Sequence, residues 1–386
     1  MMGRIIHFCF DGNFIDGSIA QFRKYYPDQN IFFIYQPSGH IGNRKVKANG
    51  PDIFWLNTSD ADACSKFVSE SLRDYIDIES VVLHGLADAY IEALRMIKSQ
   101  YSVKVYWLFW GFELYNALGE EGKMNLIDQI SPFSISSYIG PTKYSMLLRR
   151  FLNISSYHKR LLSFLPLINY FCFWNYEEFL LLKKYYPNDI QYRYFQYNTK
   201  NKDSIQKKEF CFYEKKPFSI LINHQASVTG NHITVFNKLK SIDKDNLFDK
   251  VVPLSYGNYR IKKIVLKSGK RLFHDKFKPI LDYMSLESYE GFLRQVGVAV
   301  FGQLRQEAAG NIIYLLENGT KVFLRTGNPL LPYYRKKGYI IFTLEDDLKS
   351  MDDLKPLSLD EMKHNWQVRQ ETRTYPEDYM PQLIDK

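Results

Sequence analysis

At 386 residues the chain is too long for one ordinary core and fits about two domains of roughly 150–200 residues each. A hydrophobic fraction of 45% beside 24% charged residues excludes a disordered chain, and four scattered cysteines (Cys9, Cys64, Cys172, Cys211) with no C-x-x-C pair exclude a disulfide framework or zinc site and fit a reducing compartment. A formal charge of +9 with a pI near 9.0 asks for an anionic partner without choosing among nucleic acid, acidic lipid and a phosphate-bearing substrate.

From the N-terminus, Ile5–Phe10 reads as a strand. It is too short for a signal-peptide core, and no stretch reaches about 18 uninterrupted apolar residues, so a cytoplasmic protein without a membrane span is expected. The turn Asp11-Gly12-Asn13 leads to an amphipathic run from Ser18 to Tyr26, then to a strand at Ile31–Tyr35. Ser80–His84 and Val103–Trp110 are further strands around a helical run Asp88–Ser99, and Asn169–Trp174 precedes a helix at Tyr176–Tyr185. Strands alternating with helices of this length imply βαβ units and a parallel sheet.

Between Asn198 and Pro217 the composition turns to Lys, Asn, Asp and Gln, the mark of a linker. The alternation then restarts. Strands are expected at Ser219–Asn223, Lys250–Leu254, Val298–Phe301, Lys321–Leu324 and Ile340–Thr343, with helices at Asn231–Leu239, Ser285–Gln295 and Asn311–Glu317. The polar end carries a helix around Asp360–Arg369. The organisation expected is an α/β chain of two Rossmann-like domains facing a cleft. Residues 1–200 form the first, 201–217 the linker and 218–358 the second, with a helical tail at 359–386 packing back on the first.

Four segments could carry chemistry. The strand ending in His84-Gly85 and the run Trp107-Leu108-Phe109-Trp110-Gly111-Phe112-Glu113 would open onto one sheet edge, where Gly85 and Gly111 permit tight turns or close approach of a ligand. Glu113, just past a very apolar strand, could have a raised pKa and take a proton from an acceptor hydroxyl; it could equally be a first-turn residue favoured by the helix dipole. In the second half, Ser227-Val228-Thr229-Gly230-Asn231-His232 runs from loop into helix, and a helix N-terminus favours phosphate, though ordinary capping explains the same residues. Arg305-Gln306-Glu307 follow a strand, and Gly310-Asn311 open an apolar helix. Arg305 can pair with a diphosphate and Glu307 can hold a hydroxyl, or the two can form a structural pair. Gly327-Asn328-Pro329 reads as a turn on the same edge. The fourth segment, Lys143–Leu162, interleaves Arg149, Arg150, Lys159 and Arg160 with Leu and Phe, as a helix on an anionic bilayer would, or as a core-facing stripe with a solvated basic face.

Three of these runs, His84-Gly85, Trp110-Gly111-Phe112-Glu113-Leu114-Tyr115 and Arg305-Gln306-Glu307-Ala308-Ala309-Gly310-Asn311, together resemble the TDP-N-acetylfucosamine:lipid II N-acetylfucosaminyltransferase family. Val251-Val252-Pro253-Leu254-Ser255-Tyr256-Gly257 and Thr229-Gly230-Asn231-His232 match it in kind and position. Two positions depart: Asn223-His224-Gln225 replaces the family's Gly-Asn-Ser, and Glu307 its second Gln. The resemblance implies a GT-B fold, an acceptor on the N-terminal domain at His84, Gly85, Trp110 and Gly111, and a polyprenyl-diphosphate-linked glycan as that acceptor. It also implies a nucleotide sugar, dTDP-linked, on the C-terminal domain at Thr229, Asn231, His232, Tyr256, Gly257, Arg305, Gln306, Glu307, Gly310, Asn311 and Asn328.

The reading is therefore a metal-independent glycosyltransferase in cell-surface polysaccharide synthesis, peripheral on the cytoplasmic face of the inner membrane. It needs no cofactor beyond its nucleotide-sugar co-substrate, and Glu113 is the base if the reaction inverts. No D-x-D-like sequence stands at a suitable strand end, so amides and cations are expected to replace a metal. The rivals are a nucleotide-sugar 2-epimerase on the same fold and a non-catalytic basic module for membrane or polyanion. Nucleic acid ranks last as a partner because no reader motif is present.

Overall fold

The computed structural model describes residues 3–36, 44–128, 157–197, 209–216 and 218–385. They fall into two compact units: 3–123, 157–197 and 374–385 form the N-terminal one, and 124–128, 209–216 and 218–373 the C-terminal one.

In the N-terminal unit, β1 (Arg4–Phe10), β2 (Asn30–Tyr35), β3 (Ile53–Leu56), β4 (Ile78–His84), β5 (Lys104–Leu108), β6 (Tyr170–Cys172) and β7 (Gln191–Arg193) form one sheet. The order is β3-β2-β1-β4-β5-β6-β7, with every neighbouring pair parallel. β1 is buried along its whole interior, apolar but for His7, as suits a strand covered by helices on both faces. The register sets Cys9 opposite His84, so β1 and β4 end together at the same edge.

The C-terminal unit repeats the plan with β8 (Ser219–Ile222), β9 (Asp249–Pro253), β10 (Phe277–Ile280), β11 (Val298–Val300), β12 (Lys321–Leu324) and β13 (Phe342–Thr343). Its order is β10-β9-β8-β11-β12-β13, again parallel throughout. In each sheet the chain winds outward from a central strand and then crosses to the other side. The two reversals, β1/β4 and β8/β11, are where open α/β sheets bind ligands, beyond the carboxyl ends of the strands.

Most predicted elements are present within a residue or two. The sequence reading omits β3, β7, β10 and the helices Ala61–Ser71, Phe112–Glu120, Tyr259–Phe273 and Leu330–Lys336. Most of the expected linker lies outside the described residues. The expected tail divides: helix Leu359–Thr372 belongs to the C-terminal unit, where Glu317 pairs with Arg373 at 2.7 Å, while 374–385 belong to the N-terminal unit. There the Tyr379 hydroxyl donates to the Gln196 carbonyl at 2.7 Å and accepts from Gln21 at 2.8 Å. Residues 124–128, expected in the first domain, are part of the C-terminal unit. Among the described residues no helix is long and apolar enough to cross a membrane.

The approach to β9 is held by a fully buried ion pair. Lys250 Nζ donates to Asp243 at 2.5 Å, to Asn246 Oδ1 at 2.9 Å and to the Phe248 carbonyl at 2.8 Å, which uses all three protons. Asp243 also accepts from the amides of Leu247 and Phe248 at 2.8 and 3.0 Å. Burial pulls the Lys250 pKa down against the pull of Asp243; burial pushes Asp243 up, but Lys250 and the two amides outweigh it and hold that carboxyl below its usual range. Lys250→Met strands a buried carboxylate and is expected to cost about 3–5 kcal/mol, while adding Asp243→Leu recovers much of the loss. Melting temperatures of the single and double variants check this; a single variant as stable as the parent rules it out.

Candidate functional site

At the β8/β11 reversal, Asn223 ends β8 in a left-handed conformation (φ 56°) with its side chain fully buried. Its Nδ2 donates to the Gly230 carbonyl at 2.8 Å and its Oδ1 accepts from the Gly302 amide at 2.9 Å. One amide group thus ties the loop after β8 to the loop after β11. A Cβ on Gly302 would stand 2.3 Å from the Gly230 oxygen, so glycine is required for this approach.

Upon that junction sits a polar cluster. Glu307, nearly buried, accepts from Arg305 Nε and from the Thr229 hydroxyl at 2.5 Å each, and from Ser227 at 3.3 Å. Arg305 and Glu307 thus form the ion pair that was the structural alternative, and Thr229 and Ser227 join them on the same carboxylate. Just beyond, Ala308 in a left-handed conformation opens helix Ala309–Glu317 with no side-chain cap, and the space above Gly310 is open. Uncapped N–H groups there keep the positive end of the helix dipole free beside Arg305. His224, His232 and Gln303 complete the surroundings. All are buried, and His224 Nδ1, His232 Nε2 and both polar atoms of the Gln303 amide have no hydrogen-bond partner among the described residues. Burial, with Glu307 opposing and Arg305 assisting, lowers His224 to about 4; burial and the neighbouring His224 lower His232 to about 3. Both rings are neutral at physiological pH and can recognise hydroxyls or amides but supply no charge.

Several residues expected to bind a donor are occupied elsewhere. Asn231 spends its amide on the carbonyls of Leu126, Thr229 and Gly302 and on the Asp128 amide, all at 3.0–3.3 Å. Asn328 donates to the carbonyls of Gln303 and Arg305 and caps Leu330 at 2.9 Å. These two hold loops in place and have no polar atom left for a ligand. Gly257 (φ 107°) abuts Ala226, whose oxygen would lie 2.4 Å from a Cβ, so its close approach is to the protein's own backbone. Asn311 donates to the Tyr289 hydroxyl at 3.2 Å. Tyr256 is half exposed with its ring beside His224, and Gln306 is half-buried. The sequence reading missed the roles of Asn223, Gly302 and Gln303, and missed Arg325, which binds Asp128 at 2.6 Å and Glu345 at 2.5 Å at the end of β12. A strand-end Asn and a glycine directly after a strand were the available signals.

At the β1/β4 reversal of the N-terminal unit, polar side chains form a single file. Asn30 gives its N–H groups to the carbonyls of Tyr26 and Phe22, so its Oδ1 accepts from His7 Nε2 at 3.0 Å. His7 Nδ1 then accepts from His84 Nε2 at 3.1 Å, and His84 Nδ1 accepts from the Tyr197 hydroxyl at 3.2 Å. The Trp110 indole N–H closes the file on the Tyr197 oxygen at 2.8 Å. The direction of each bond follows from the partner beyond it. Burial lowers His7 to about 3, against the Asn30 bond and Asp52, and lowers His84 well below its usual value with His7 assisting. The expectation that His84 binds the acceptor is corrected: its ring is fully buried and both nitrogens are committed, so it positions Tyr197 and Trp110 instead. Trp110 itself is half-buried at the edge, edge-to-face with the exposed Phe14.

Glu113 enters from the first turn of helix Phe112–Glu120, whose N-cap is Gly111 (φ 97°). Its carboxyl is buried and, among the described residues, neither oxygen has a partner of hydrogen-bonding geometry. Desolvation raises its pKa to about 7; its own amide, the Trp107 indole and the Leu86 amide lie near enough to oppose that rise without closing a bond. Gly85 (φ 89°) makes room, since a Cβ there would meet Phe10 at 2.6 Å and Glu113 at 3.1 Å. A buried carboxyl poised near neutrality at a sheet reversal has the properties of a general acid or base.

Of the segment expected to face a membrane, Arg149 and Arg150 lie outside the described residues and Lys159 is exposed. Arg160 is not a free surface cation: it grips Asp88 through two bonds of 2.9 and 2.7 Å and lies over the Tyr157 ring. A groove of about 550 Å³ lined by Lys104, Asn169 and Asp189 opens at the amino ends of β5–β7, the edge away from the reversal, and holds none of these residues. Among the described residues no three His, Cys, Asp or Glu side chains gather as a set of metal ligands.

No family model matches the chain. Over 81 residues, 20% of its length, it is 35% identical to the chromatin structure-remodeling complex subunit RSC7 of Saccharomyces cerevisiae, and it spans only 18% of that protein. A match shorter than either unit defines neither. Solved structures align over nearly the whole chain. Sucrose-phosphate synthase from Thermosynechococcus elongatus does so with a TM-score of 0.60 at 8% identity, covering 97% of this chain and 94% of that one. The UDP-forming α,α-trehalose-phosphate synthase from Burkholderia vietnamiensis gives 0.58 at 9%, covering 97% and 98%. The E. coli trehalose-6-phosphate protein bound with UDP-2-fluoro glucose gives 0.56 at 9%, covering 99% and 100%. With its two parallel, equally ordered sheets, the chain has the two-Rossmann GT-B fold of the glycosyltransferases.

Proposed function

We propose that the chain is a glycosyltransferase that takes a sugar from a nucleoside-diphosphate donor on its C-terminal unit and passes it to a lipid-linked glycan. The observation that carries the donor half is Arg305 beside the uncapped start of helix Ala309–Glu317, at the reversal where such sheets bind ligands. Arg305 and the helix amides neutralise the departing diphosphate, and the uncharged His224, His232 and Gln303 face the rest of the donor. Structural neighbours solved with a UDP-sugar analogue support a nucleotide-sugar donor. A thymidine base, the polyprenyl-diphosphate acceptor and work at the cytoplasmic face of the inner membrane rest on the motif resemblance. In this reading Glu113 deprotonates the acceptor hydroxyl if the anomeric carbon is inverted.

Nucleoside diphosphates of thymidine, uridine and guanosine, screened by thermal shift, test the donor half. A ligand bound only by the folded state stabilises by about 2.7 kcal/mol at a hundredfold excess over Kd. One base is expected to give a clear shift that Arg305→Ala abolishes; a shift that survives Arg305→Ala removes that residue from the donor site. Since Arg305 and the helix amides carry the diphosphate in this proposal, turnover is expected to be unchanged by chelation of divalent ions.

Glu113→Gln tests the base in two ways. Turnover is expected to fall by about 10²–10⁴-fold, and near-normal turnover would refute the role. Stability supplies the independent reading. With its folded pKa raised from 4.5 to about 7, Glu113 keeps its proton in the folded state while the unfolded chain has lost it. Stability therefore declines as pH rises from about 4.5 to 7, by up to roughly 3 kcal/mol, and Glu113→Gln flattens that decline.

A further inference from the structure

We infer that the outer face of helix Tyr259–Phe273 and the exposed side chains at the end of β10 beside it form the surface on which this chain rests against an anionic bilayer. The helix carries six cations and no acid: Arg260, Lys262, Lys263, Lys267, Lys270 and Arg271. Its inner face is spent on the core through Ile261, Val265 and Phe273. Gly269 seats it against β10, for a Cβ there would fall 2.2 Å from the Phe277 ring. At 100° per residue, Arg260, Lys263, Lys267, Lys270 and Arg271 fall within a stripe about 100° wide on the opposite side. All five are exposed, and none has an ion-pair partner among the described residues.

Folding alone does not account for this arrangement. Arg260, Lys262 and Lys263 stand in or next to the first turn, where the positive end of the dipole disfavours cations, and only the Asn258 side chain caps the amides of Arg260 and Ile261. The neighbouring edge is also unusually apolar. β9 and β10 are parallel neighbours, so the start of the helix and the loop after β10 leave the sheet on the same side. There Tyr259 is 67% exposed, Tyr283 85% and Leu286 72%, with Leu281 close behind at 43%. Asp282 and Glu287 are the acids of that loop; the helix face has none. Cations flanking exposed tyrosine and leucine suit the headgroup and upper acyl region together. A nucleic-acid backbone would use the cations but gain nothing from Leu281 and Leu286. The surface lies on helix Tyr259–Phe273 of the C-terminal unit; of the Lys143–Leu162 segment, Arg160 is already paired. Its purpose, bringing the enzyme to a lipid-linked acceptor, rests on the function proposed above; the surface itself is read from charge and exposure.

Co-sedimentation of the full chain with phosphatidylcholine vesicles, with and without about 30 mol% phosphatidylglycerol, tests it. Binding is expected only to the anionic vesicles and to weaken with salt. Each cation near such a surface is worth roughly a fivefold change in partition, so Lys263→Glu/Lys267→Glu/Lys270→Glu should weaken binding about a hundredfold or more. Tyr283→Ser/Leu286→Ser should weaken the salt-resistant remainder. Nucleotide-induced thermal shifts, measured on the same variants, are expected to be unchanged and report that the fold is intact. Vesicle binding undiminished in the triple variant, lost instead in Arg149→Glu/Arg150→Glu, or replaced by binding to a DNA or RNA duplex, overturns the inference. A nucleotide shift without vesicle binding sinks this surface and leaves the donor reading standing; vesicle binding without any nucleotide shift does the reverse.

Discussion

The carboxyl edge of the C-terminal sheet depends on one buried amide. Asn223 holds the loops after β8 and β11 together by donating to Gly230 and accepting from Gly302, and the approach is so close that neither loop could carry a larger residue at the contact. Parallel strands leave their last peptide groups to be satisfied by whatever follows, and at a reversal the two loops diverge. A side chain that bridges them removes that cost and fixes their separation. Thr229 and Arg305, on different loops, can then meet on the same Glu307 carboxylate. The left-handed conformations of Asn223 and Ala308 are the local strain this geometry carries, and they fall where loops must turn sharply beside an open helix end.

The N-terminal unit meets the same topological problem with different chemistry. Its reversal is filled by a file of neutral hydrogen bonds from Asn30 to Trp110, every donor matched to an acceptor. Such a network fixes ring positions at little electrostatic cost, because no member is charged. Glu113 stands beside it as the exception, a carboxyl that closes no hydrogen bond among the described residues. The contrast matters because an unpartnered buried carboxyl destabilises the fold whenever it ionises.

The fold was readable because periodicity is a property of long segments: two alternations of apolar strands and amphipathic helices are enough to define two parallel sheets. Elements without that contrast escaped. Helix Tyr259–Phe273 begins with cations where acids are the usual signal, and β3 and β10 are four residues each. Within the site, residue type indicated the neighbourhood but not the role. Arg305 and Glu307 form the structural pair that the same residue types also allowed, with Thr229 on the same carboxylate, whereas His84, Asn231 and Asn328 are consumed by the backbone and by their neighbours. Asn and His are the side chains best able to satisfy peptide groups and one another, so in a sequence a ligand-binding Asn and a loop-fastening Asn look alike. Only the positions of the carbonyls they meet separate the two, and those depend on residues far away in the chain, as Leu126 and Asp128 do for Asn231.

The distribution of charge follows a consistent division. Burial drives His7, His84, His224 and His232 to the neutral form, so the histidines at both reversals carry no charge. Permanent positive charge is admitted there at Arg305, tempered by Glu307. Elsewhere the buried cation Lys250 is matched by Asp243, and Arg160 and Arg325 by carboxylates of their own. A concentration of unmatched cations lies on the outer stripe of helix Tyr259–Phe273, where water screens them and their desolvation costs little. The fully buried cation Lys250 is thus paired, while the run of cations on helix Tyr259–Phe273 stands exposed on one face.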